Sequence, residues 1–419
     1  MKEPLIKHIE ITNYRSCLNC SFDLHPNLSV LIGPNASGKT NILNAILILK
    51  KIAEQEDPFL FRAEKTTGQS KFEMTFNIGK KKARLNMEVQ IDTDDNNNDI
   101  ILGSHLDWYI KDFTETEKHY YYPLSLLRHA YSKNIKIVNE SQRFRYFYSH
   151  LRRVYNSNMR DPSMLPLPGM VALWKISNFA DGIRYYGASQ FTNPSTCPVY
   201  FEIEKEGLRS RGLKLKGHEK LLFDLYTEKK GKGTNYKYFF DIVGPRGLHL
   251  IDGIEFDDIK TSSLEYSVRL GGKVRKIKRE KMLIIPRFTI GKHILSPNQL
   301  SEGTFKTIAL LFYLITETSS LLLIEEPEVC IHHGLLSSII ELIKSYSQHK
   351  QIVISTHSDF VLDQMDPENV YKVYNAPKKG TTIEHIPKSM SGSEFAALKE
   401  YLAKEGNLGE YWKHGALEL

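Results

Sequence analysis

The sequence predicts an α/β fold with a mixed, mainly parallel core sheet, an antiparallel β subdomain and a helical, basic insertion. The apolar run 28–32 leads through a glycine-rich turn, residues 33–40, into residues 41–47, whose apolar positions recur at helical spacing. Two more short apolar runs, 321–324 and 352–354, have the length and composition of buried parallel strands. Buried strands separated by helical stretches are typical of a parallel sheet covered by helices.

Alternating apolar and polar residues predict the antiparallel subdomain. Residues 5–12 alternate in this way, and residues 21–24 form a return strand after a turn. Residues 72–78 and 83–91 read as a hairpin, and residues 100–110 as one more strand. The helix between these groups is expected to run from Thr40 to about Glu54.

The acidic run 92–99 interrupts the antiparallel pattern. It resembles a calcium loop only superficially, because the sixth position is not glycine and the twelfth is not glutamate. We therefore interpret it as the solvated tip of a hairpin.

The turn at residues 33–40, Gly-Pro-Asn-Ala-Ser-Gly-Lys-Thr, matches the phosphate-binding pattern G-x-x-x-x-G-K-[ST] in its required context of strand, turn and helix. Gly33 and Gly38 let backbone N–H groups turn inward around an anion, and the helix N-terminus adds further donors. Lys39 is predicted to reach the β- and γ-phosphates, and the Thr40 hydroxyl to bind Mg²⁺. Asn35 completes the predicted nucleotide contacts.

The composition is that of an ordinary globular protein, with 41% hydrophobic and 25% charged residues in 419. No apolar run approaches the ~18 residues of a membrane span, and residues 1–4 lack the apolar core of a secretory signal. We therefore expect a cytoplasmic protein without membrane contact. Cys17 and Cys20 are spaced for zinc but have no second pair to complete a tetrahedral site, so two thiols in a hairpin are the better interpretation.

The net charge of +7 is concentrated in one segment. Residues 200–296 contain 21 lysines and arginines against 13 aspartates and glutamates, which accounts for the whole surplus. This suggests a polyanionic partner, although a charge run is more often a solvated face. Residues 142–155 pose the same choice, because their arginines and aromatic residues fit nucleic acid while their spacing fits an amphipathic helix docked on the core.

Chemically useful side chains follow the two later buried strands. Glu325 and Glu326 end the run 321–324, and His357 follows the run 352–354. Ligands bind at the carboxyl ends of parallel strands, so all three are expected at the edge that carries the phosphate loop. By position, Glu325 should hold the water shell of Mg²⁺ and Glu326 should polarise the attacking water.

These motifs in this order resemble the soluble ABC-type ATPases of the SMC, Rad50, RecF and OLD group. Residues 33–40 match Walker A, 321–326 match Walker B and 355–358 match the histidine switch. Residues 299–304, Gln-Leu-Ser-Glu-Gly-Thr, match the signature sequence, with Ser301 and Gly303 at its key positions.

The resemblance implies a set of roles and a division of the chain. Lys39, Glu326 and His357 would be catalytic, Gln190 would be the Q-loop ligand of Mg²⁺ beside Thr40 and Glu325, and Arg15 would approach the nucleotide. The lobes would span residues 1–193 and 297–375, separated by the compact basic insertion 194–296 and followed by a tail at 376–419.

In this family the signature completes the phosphate loop of a second chain. The resemblance therefore implies a homodimer, or a larger assembly, that closes around two ATP–Mg²⁺ and opens after hydrolysis. Two departures from the family's usual motifs affect the expected rate of ATP hydrolysis. Glu325 replaces the usual aspartate, and residues 329–334 lack the usual aspartate of the following loop. Both favour slow or partner-stimulated hydrolysis.

Two biological roles remain open at this point. Residues 358–419 contain no D-x-D pair for a Toprim nuclease, and the insertion contains no long coiled coil. Such compact ATPases resemble subunits of anti-phage systems of the Septu and PARIS types. This favours an ATP-dependent sensor that controls a separate nuclease or toxin. The alternative is a RecF-like DNA-repair ATPase that contacts DNA through residues 273–281. A transporter subunit is disfavoured, since the signature differs from L-S-G-G-Q.

Overall fold

A computed structural model describes most of the chain. The residues described are 4–54, 69–79, 81–93, 99–112, 120–122, 175–176, 179–180, 182–187, 191–204, 215, 217–231, 233–268, 274–316, 321–329, 331, 333–404 and 406–411. Their contacts divide the chain into two compact units. The first unit comprises Met1–Tyr185, Thr318–Glu326 and Ser347–Leu419, and the second comprises Tyr186–Glu317 and Pro327–Tyr346.

The first unit is built on one large mixed sheet. Its described strands lie in the order β7-β6-β5-β4-β1-β2-β16-β15-β3-β14-β13, and the first two residues of β8 follow β13. The strands of this sheet are β1 (Leu5–Tyr14), β2 (Cys17–Asp23), β3 (Leu28–Ile32), β4 (Ser70–Ile78), β5 (Lys81–Thr93), β6 (Asp99–Asp112), β7 (Tyr120–Tyr122), β8 (Arg184–Gly187), β13 (Leu321–Glu325), β14 (Gln351–Thr356), β15 (Val370–Ala376) and β16 (Gly380–His385).

Four neighbouring strands form the parallel core. β14 pairs in parallel with both β13 and β3, and β3 pairs in parallel with β15. Every residue of β3 and β14 is buried, which explains why apolar residues dominate the middle of both strands. In register, Glu325 lies beside Ser355 and Thr356 lies beside Ile32, so β13, β14 and β3 end at one edge, as predicted.

The antiparallel part confirms the predicted strands with longer bounds. β1 lies between β2 and β4, and β5 lies between β4 and β6. Alternate side chains of β1 and β4, among them Ile9, Ile11, Phe72 and Met74, are buried in one apolar core. Cys17 and Cys20 are buried thiols on β2 of the β1–β2 hairpin, where the sequence places them.

The interpretation of residues 92–99 as a solvated tip is wrong for Asp99. Residues 94–98 lie outside the described part of the chain, but the Asp99 side chain is only 2% exposed. Asp99 accepts hydrogen bonds from Tyr14 and Arg15. Both residues are far away in the sequence, so no local pattern predicts these contacts.

The second unit contains a smaller sheet and most of the longer helices after α1. β9 (Phe201–Glu204) pairs with the inner end of a long hairpin, β10 (Gly253–Val268) with β11 (Val274–Ile290), and β12 (His293–Leu295) extends β11. The helices in the part of the chain that the structure describes are α1 (Lys39–Glu54), α2 (Gly217–Lys230), α3 (Thr234–Val243), α4 (Glu302–Thr316), α5 (His333–Ser347), α6 (Asp359–Asp363), α7 (Ile386–Ser389), α8 (Gly392–Lys404) and α9 (Leu408–Tyr411).

Helix α1 begins one residue before its predicted start and ends where predicted, at Glu54. Gln190 and residues 142–155 lie outside the described residues, and the four-part division of the chain stays a prediction. Among the helices that the structure describes, none combines the length and the apolar character that crossing a bilayer would require.

Candidate functional site

The phosphate loop is seated against the hairpin β15–β16. A Cβ on Gly33 would lie 2.0 Å from the carbonyl oxygen of Val373, and a Cβ on Gly38 would lie 2.0 Å from Oγ1 of Thr381. Gly38 also has φ of +105°, which side chains rarely tolerate. Both glycines are therefore required by close backbone approach as well as by the turn itself.

Thr381 on β16 joins this loop to the first hairpin. Its hydroxyl donates to the carbonyl of Ser37 at 3.1 Å and lies 2.7 Å from the Ser16 hydroxyl. Asn41 of α1 donates to the same Ser16 hydroxyl at 2.6 Å. Thr381 is fully buried, so water does not compete for these hydrogen bonds, and they hold the phosphate loop against β16.

The loop has the features that a triphosphate requires. The Lys39 ammonium is held inside the turn, where it donates to the carbonyls of Gly33 (2.7 Å) and Pro34 (2.9 Å). The Ser37 hydroxyl is buried in the loop and has no hydrogen-bond partner among the described residues. A buried, unpaired hydroxyl and a cation already at the loop fit a bound anion, since buried polar groups are normally paired.

Two of the three predicted Mg²⁺ ligands, Thr40 and Glu325, are in contact. The Thr40 hydroxyl donates to Oε1 of Glu325, across 285 residues of sequence. Oε2 of Glu325 accepts a hydrogen bond from the phenol of Tyr185 on β8. A hydroxyl and a carboxylate are oxygen ligands of the kind that Mg²⁺ prefers, so the pair fits this ion.

Tyr185 is a site residue that the sequence did not reveal. Burial, and next the charge of Glu325, raise the pKa of the Tyr185 phenol well above its ordinary value. The phenol therefore stays protonated and acts as a donor to the carboxylate. Within residues 182–190, the sequence predicts a role in the site for Gln190 only.

Glu326 and His357 form the second pair at this edge. Nδ1 of His357 lies 3.3 Å from Oε1 of Glu326, and both side chains are partly exposed. Glu326 has φ of +48°, in the left-handed region, while its N–H donates to the carbonyl of Ser355 at 2.8 Å. A non-glycine residue in this conformation costs about 1–3 kcal/mol, and such strain is concentrated at functional sites.

Arg15 makes its ion pair with an aspartate. Its guanidinium lies 2.8 Å from Oδ1 of Asp99, and Lys51 lies 3.4 Å from Oδ2 of the same carboxylate. Burial raises the pKa of Asp99, but the hydrogen bonds from Tyr14 and Arg15 and the charge of Lys51 outweigh it, so the pKa lies below its ordinary value. The predicted role of Arg15 toward the nucleotide stays a prediction.

The signature residues belong to the second unit and begin a helix. The hydroxyl of Ser301 accepts the N–H of Thr304 at 3.2 Å, and the carbonyl of Ser301 accepts the N–H of Phe305 at 2.9 Å. Ser301 therefore caps α4, whose residues 305–316 are all buried. Gly303 lies in the first turn, where its carbonyl accepts the Thr307 hydroxyl.

The first unit thus brings together most of the predicted residues. Lys39, Thr40 and Glu325 are linked through the loop and its contacts, and Glu326 with His357 end the adjacent strands. Ser301 and Gly303 lie in the other unit, and their role toward a second chain stays a prediction.

Two family models match parts of this chain. Residues 5–160 match the family described as "AAA ATPase domain". Residues 249–363 match the family described as "AAA domain, putative AbiEii toxin, Type IV TA system". The first match contains the phosphate loop, and the second contains the signature, both acidic residues and His357.

Short segments are similar to RecF proteins, which are described as DNA replication and repair proteins. The RecF of Lactococcus lactis subsp. cremoris (strain MG1363) is 50% identical over 44 residues, which is 10% of this chain and 12% of RecF. The RecF of Streptococcus agalactiae serotype V is 33% identical over 89 residues, 20% of this chain and 23% of RecF. The chain spans between about a tenth and a quarter of the length of these relatives.

Solved structures with a similar chain trace include heads of SMC proteins. The SMC head domain from Thermotoga maritima has a TM-score of 0.41 at 12% identity, covering 91% of this chain and 99% of that one. An Smc head bound to the C-terminal winged-helix domain of ScpA has a TM-score of 0.45 at 12% identity, covering 94% and 99%.

Proposed function

We propose that this chain, an ABC-type ATPase of the SMC/RecF/Rad50-like group, binds ATP with Mg²⁺ and hydrolyses it slowly as a switch. The observation that carries this proposal is the contact between Thr40 and Glu325 beside Lys39. It joins the start of α1 to the end of β13, so the phosphate loop and the acidic strand end form one site. Glu326 and His357 complete that site with a base and a polar partner.

Each residue has a task that follows from its position. Loop N–H groups and the start of α1 hold the phosphates, and Lys39 exchanges the carbonyls of Gly33 and Pro34 for phosphate oxygens. Thr40 and Glu325 hold Mg²⁺, which when bound neutralises charge on the phosphates. Glu326 accepts the proton of the attacking water, and His357 orients the Glu326 carboxylate from 3.3 Å.

The site is completed by a second copy of the chain. Ser301 and the N-terminus of α4 provide a hydroxyl and helix donors suited to the γ-phosphate of a partner's nucleotide. ATP then binds the closed dimer better than open monomers, so the nucleotide state sets the assembly state. The unit of function is at least a homodimer.

The biological role we propose is that of a sensor that controls a separate effector, a nuclease or a toxin, in anti-phage defence. The support is the family matched by residues 249–363, whose description names a toxin of a toxin–antitoxin system. In this role the energy of ATP binding holds the effector in one state, and hydrolysis releases it.

The proposal is tested by nucleotide binding and phosphate release with the full chain. Wild type should bind a fluorescent ATP analogue and release phosphate slowly, whereas K39A should lose binding by more than about tenfold. K379A, which removes an exposed lysine on the β15–β16 turn, should behave as wild type. Wild type that neither binds nor hydrolyses ATP would refute the proposal.

A RecF-like role in DNA binding is the second candidate, and the hairpin β10–β11 favours it. β9 pairs with residues 281–284 of β11, so from Glu280 outward the described sheet is a two-stranded ribbon. In the sequence, residues 262–280 carry six lysines and arginines against two glutamates. A two-stranded ribbon fits the major groove of DNA, and this surplus fits its phosphates.

Salt dependence separates this candidate from the first. The variant R275Q/K276Q/K278Q/R279Q should bind duplex DNA more weakly and with a shallower dependence on salt, by about 0.9 in logarithmic slope for each lost phosphate contact. A matched variant, K237Q/K292Q/K378Q/K379Q, removes four exposed lysines elsewhere and should keep the wild-type slope. Equal slopes for both variants would exclude the ribbon as the DNA-binding surface.

A further inference from the structure

The carboxylate of Glu325 is held at both oxygens. Oε1 accepts the Thr40 hydroxyl and Oε2 accepts the Tyr185 phenol. We propose that Tyr185 is a positioning residue, which fixes the Glu325 carboxylate so that one oxygen is aimed at the Mg²⁺ of the nucleotide. This inference rests on the proposed function, because it concerns the same metal site.

The need for such a residue follows from the length of the glutamate. The Glu325 side chain has one more rotatable bond than the aspartate expected at this position, so its carboxylate can adopt more positions. A metal site needs its oxygen in one place, and a partner on the other oxygen fixes the plane of the group. Tyr185 reaches that oxygen from β8, a different strand from the one that carries Glu325.

Tyr185 is suited to this task in two ways. Its ring packs against the core of the first unit, so its hydroxyl has little freedom to follow a moving carboxylate. Its hydroxyl donates to Oε2 of Glu325, so it holds the carboxylate and does not compete with it for the cation. The hydroxyl thus acts on the metal through Glu325 and needs no contact with the nucleotide.

The first unit contains a natural control for this contact. Tyr374 on β15 donates to Oε1 of Glu384 on β16 at 2.5 Å, which is the same chemical pair on two strands that carry neither Glu325 nor Tyr185. Y185F and Y374F therefore remove the same hydroxyl from the same kind of hydrogen bond. Phenylalanine keeps the ring, and with it the packing of each residue.

The experiment is a Mg²⁺ titration of fluorescent ATP binding by the full chain, repeated in EDTA. Y185F should raise the Mg²⁺ concentration at half-saturation by about tenfold, the usual effect of removing a partner of a metal ligand. Its affinity for nucleotide in EDTA should equal that of wild type, because the phosphate loop is unchanged. Y374F should match wild type in both conditions.

A double-mutant cycle with E325D checks that the effect passes through the carboxylate. The aspartate is too short to keep the bond to Tyr185, so adding Y185F to E325D should change the Mg²⁺ requirement by less than about twofold. A full tenfold effect in the E325D background, or none in wild type, would overturn the assignment while leaving ATP binding itself intact. If nucleotide binding by wild type does not depend on Mg²⁺, the proposed metal site is overturned as well.

Discussion

His357 faces Glu326 with 3.3 Å between Nδ1 and Oε1, at the ends of two adjacent parallel strands. The main chain supports the same arrangement, since the N–H of Glu326 donates to the carbonyl of Ser355, two residues before His357. One strand thus orients both the backbone and the side chain of the proposed base. The cost is a left-handed conformation at Glu326.

E326Q should bind ATP as wild type does and hydrolyse it about 10²–10⁴-fold more slowly, because the amide cannot accept the proton of water. Equilibrium binding and single-turnover phosphate release measure the two effects separately. E341Q, on the exposed side of α5, is the control and should leave both unchanged. Hydrolysis by E326Q at the wild-type rate would assign the base elsewhere.

Mixing two inactive variants should restore activity if the signature acts in trans. K39A lacks a working phosphate loop, and S301R blocks the start of α4 while leaving its own loop intact. A mixed dimer contains one fully wild-type composite site, so the mixture should hydrolyse ATP while each variant alone should not. An inactive mixture that still forms dimers would place the signature's role within one chain.

T381V should weaken ATP binding although Thr381 is proposed to touch no nucleotide. Valine keeps the volume but removes the buried donor to the Ser37 carbonyl, which costs about 1–3 kcal/mol. It also removes one hydrogen bond of the Ser16 hydroxyl, which still accepts from Asn41. T381S keeps the hydroxyl and should retain most of the affinity. Isothermal titration with ATP compares them, and equal losses for both variants would show that packing matters more than hydrogen bonding.

D99N should remove part of the acid sensitivity of the fold. The pKa of Asp99 lies below its unfolded value, so its stabilisation is complete above pH ~4 and is lost as the pH falls through the folded pKa. Wild type should therefore lose more stability than D99N as the pH is lowered below about 4. Urea unfolding at each pH measures this, and parallel curves would contradict it.

The sequence predicted those parts of the site whose signal is local. Strand β3, the glycine turn and the start of α1 are contiguous, and Glu325 and His357 each follow a buried strand directly. Parallel strands that meet at one edge then bring them together. The phosphate loop, both acids and the histidine were found for this reason.

The remaining site residues depend on contacts between residues that are far apart in the sequence, so no local pattern predicts them. Tyr185 reaches Glu325 across 140 residues, and Thr381 reaches Ser37 across 344. Asp99 looked like one acid among several in a polar run, and only its distant partners Tyr14 and Arg15 distinguish it. Such positions leave no periodic pattern in the sequence, because a single hydrogen bond constrains one residue and not a whole face of a helix or strand.

The seat of the phosphate loop has a consequence for how the protein is made. β3 lies between β14 and β15, and the loop rests on Val373 and Thr381, so the residues behind the loop are translated about 340 positions after it. At ~5–20 residues per second, the ribosome needs roughly 17–70 s to supply them. Until these residues have been made, a nascent chain therefore carries its glycine turn without the strands that support it, and ATP can assist the folding of this loop only after that point.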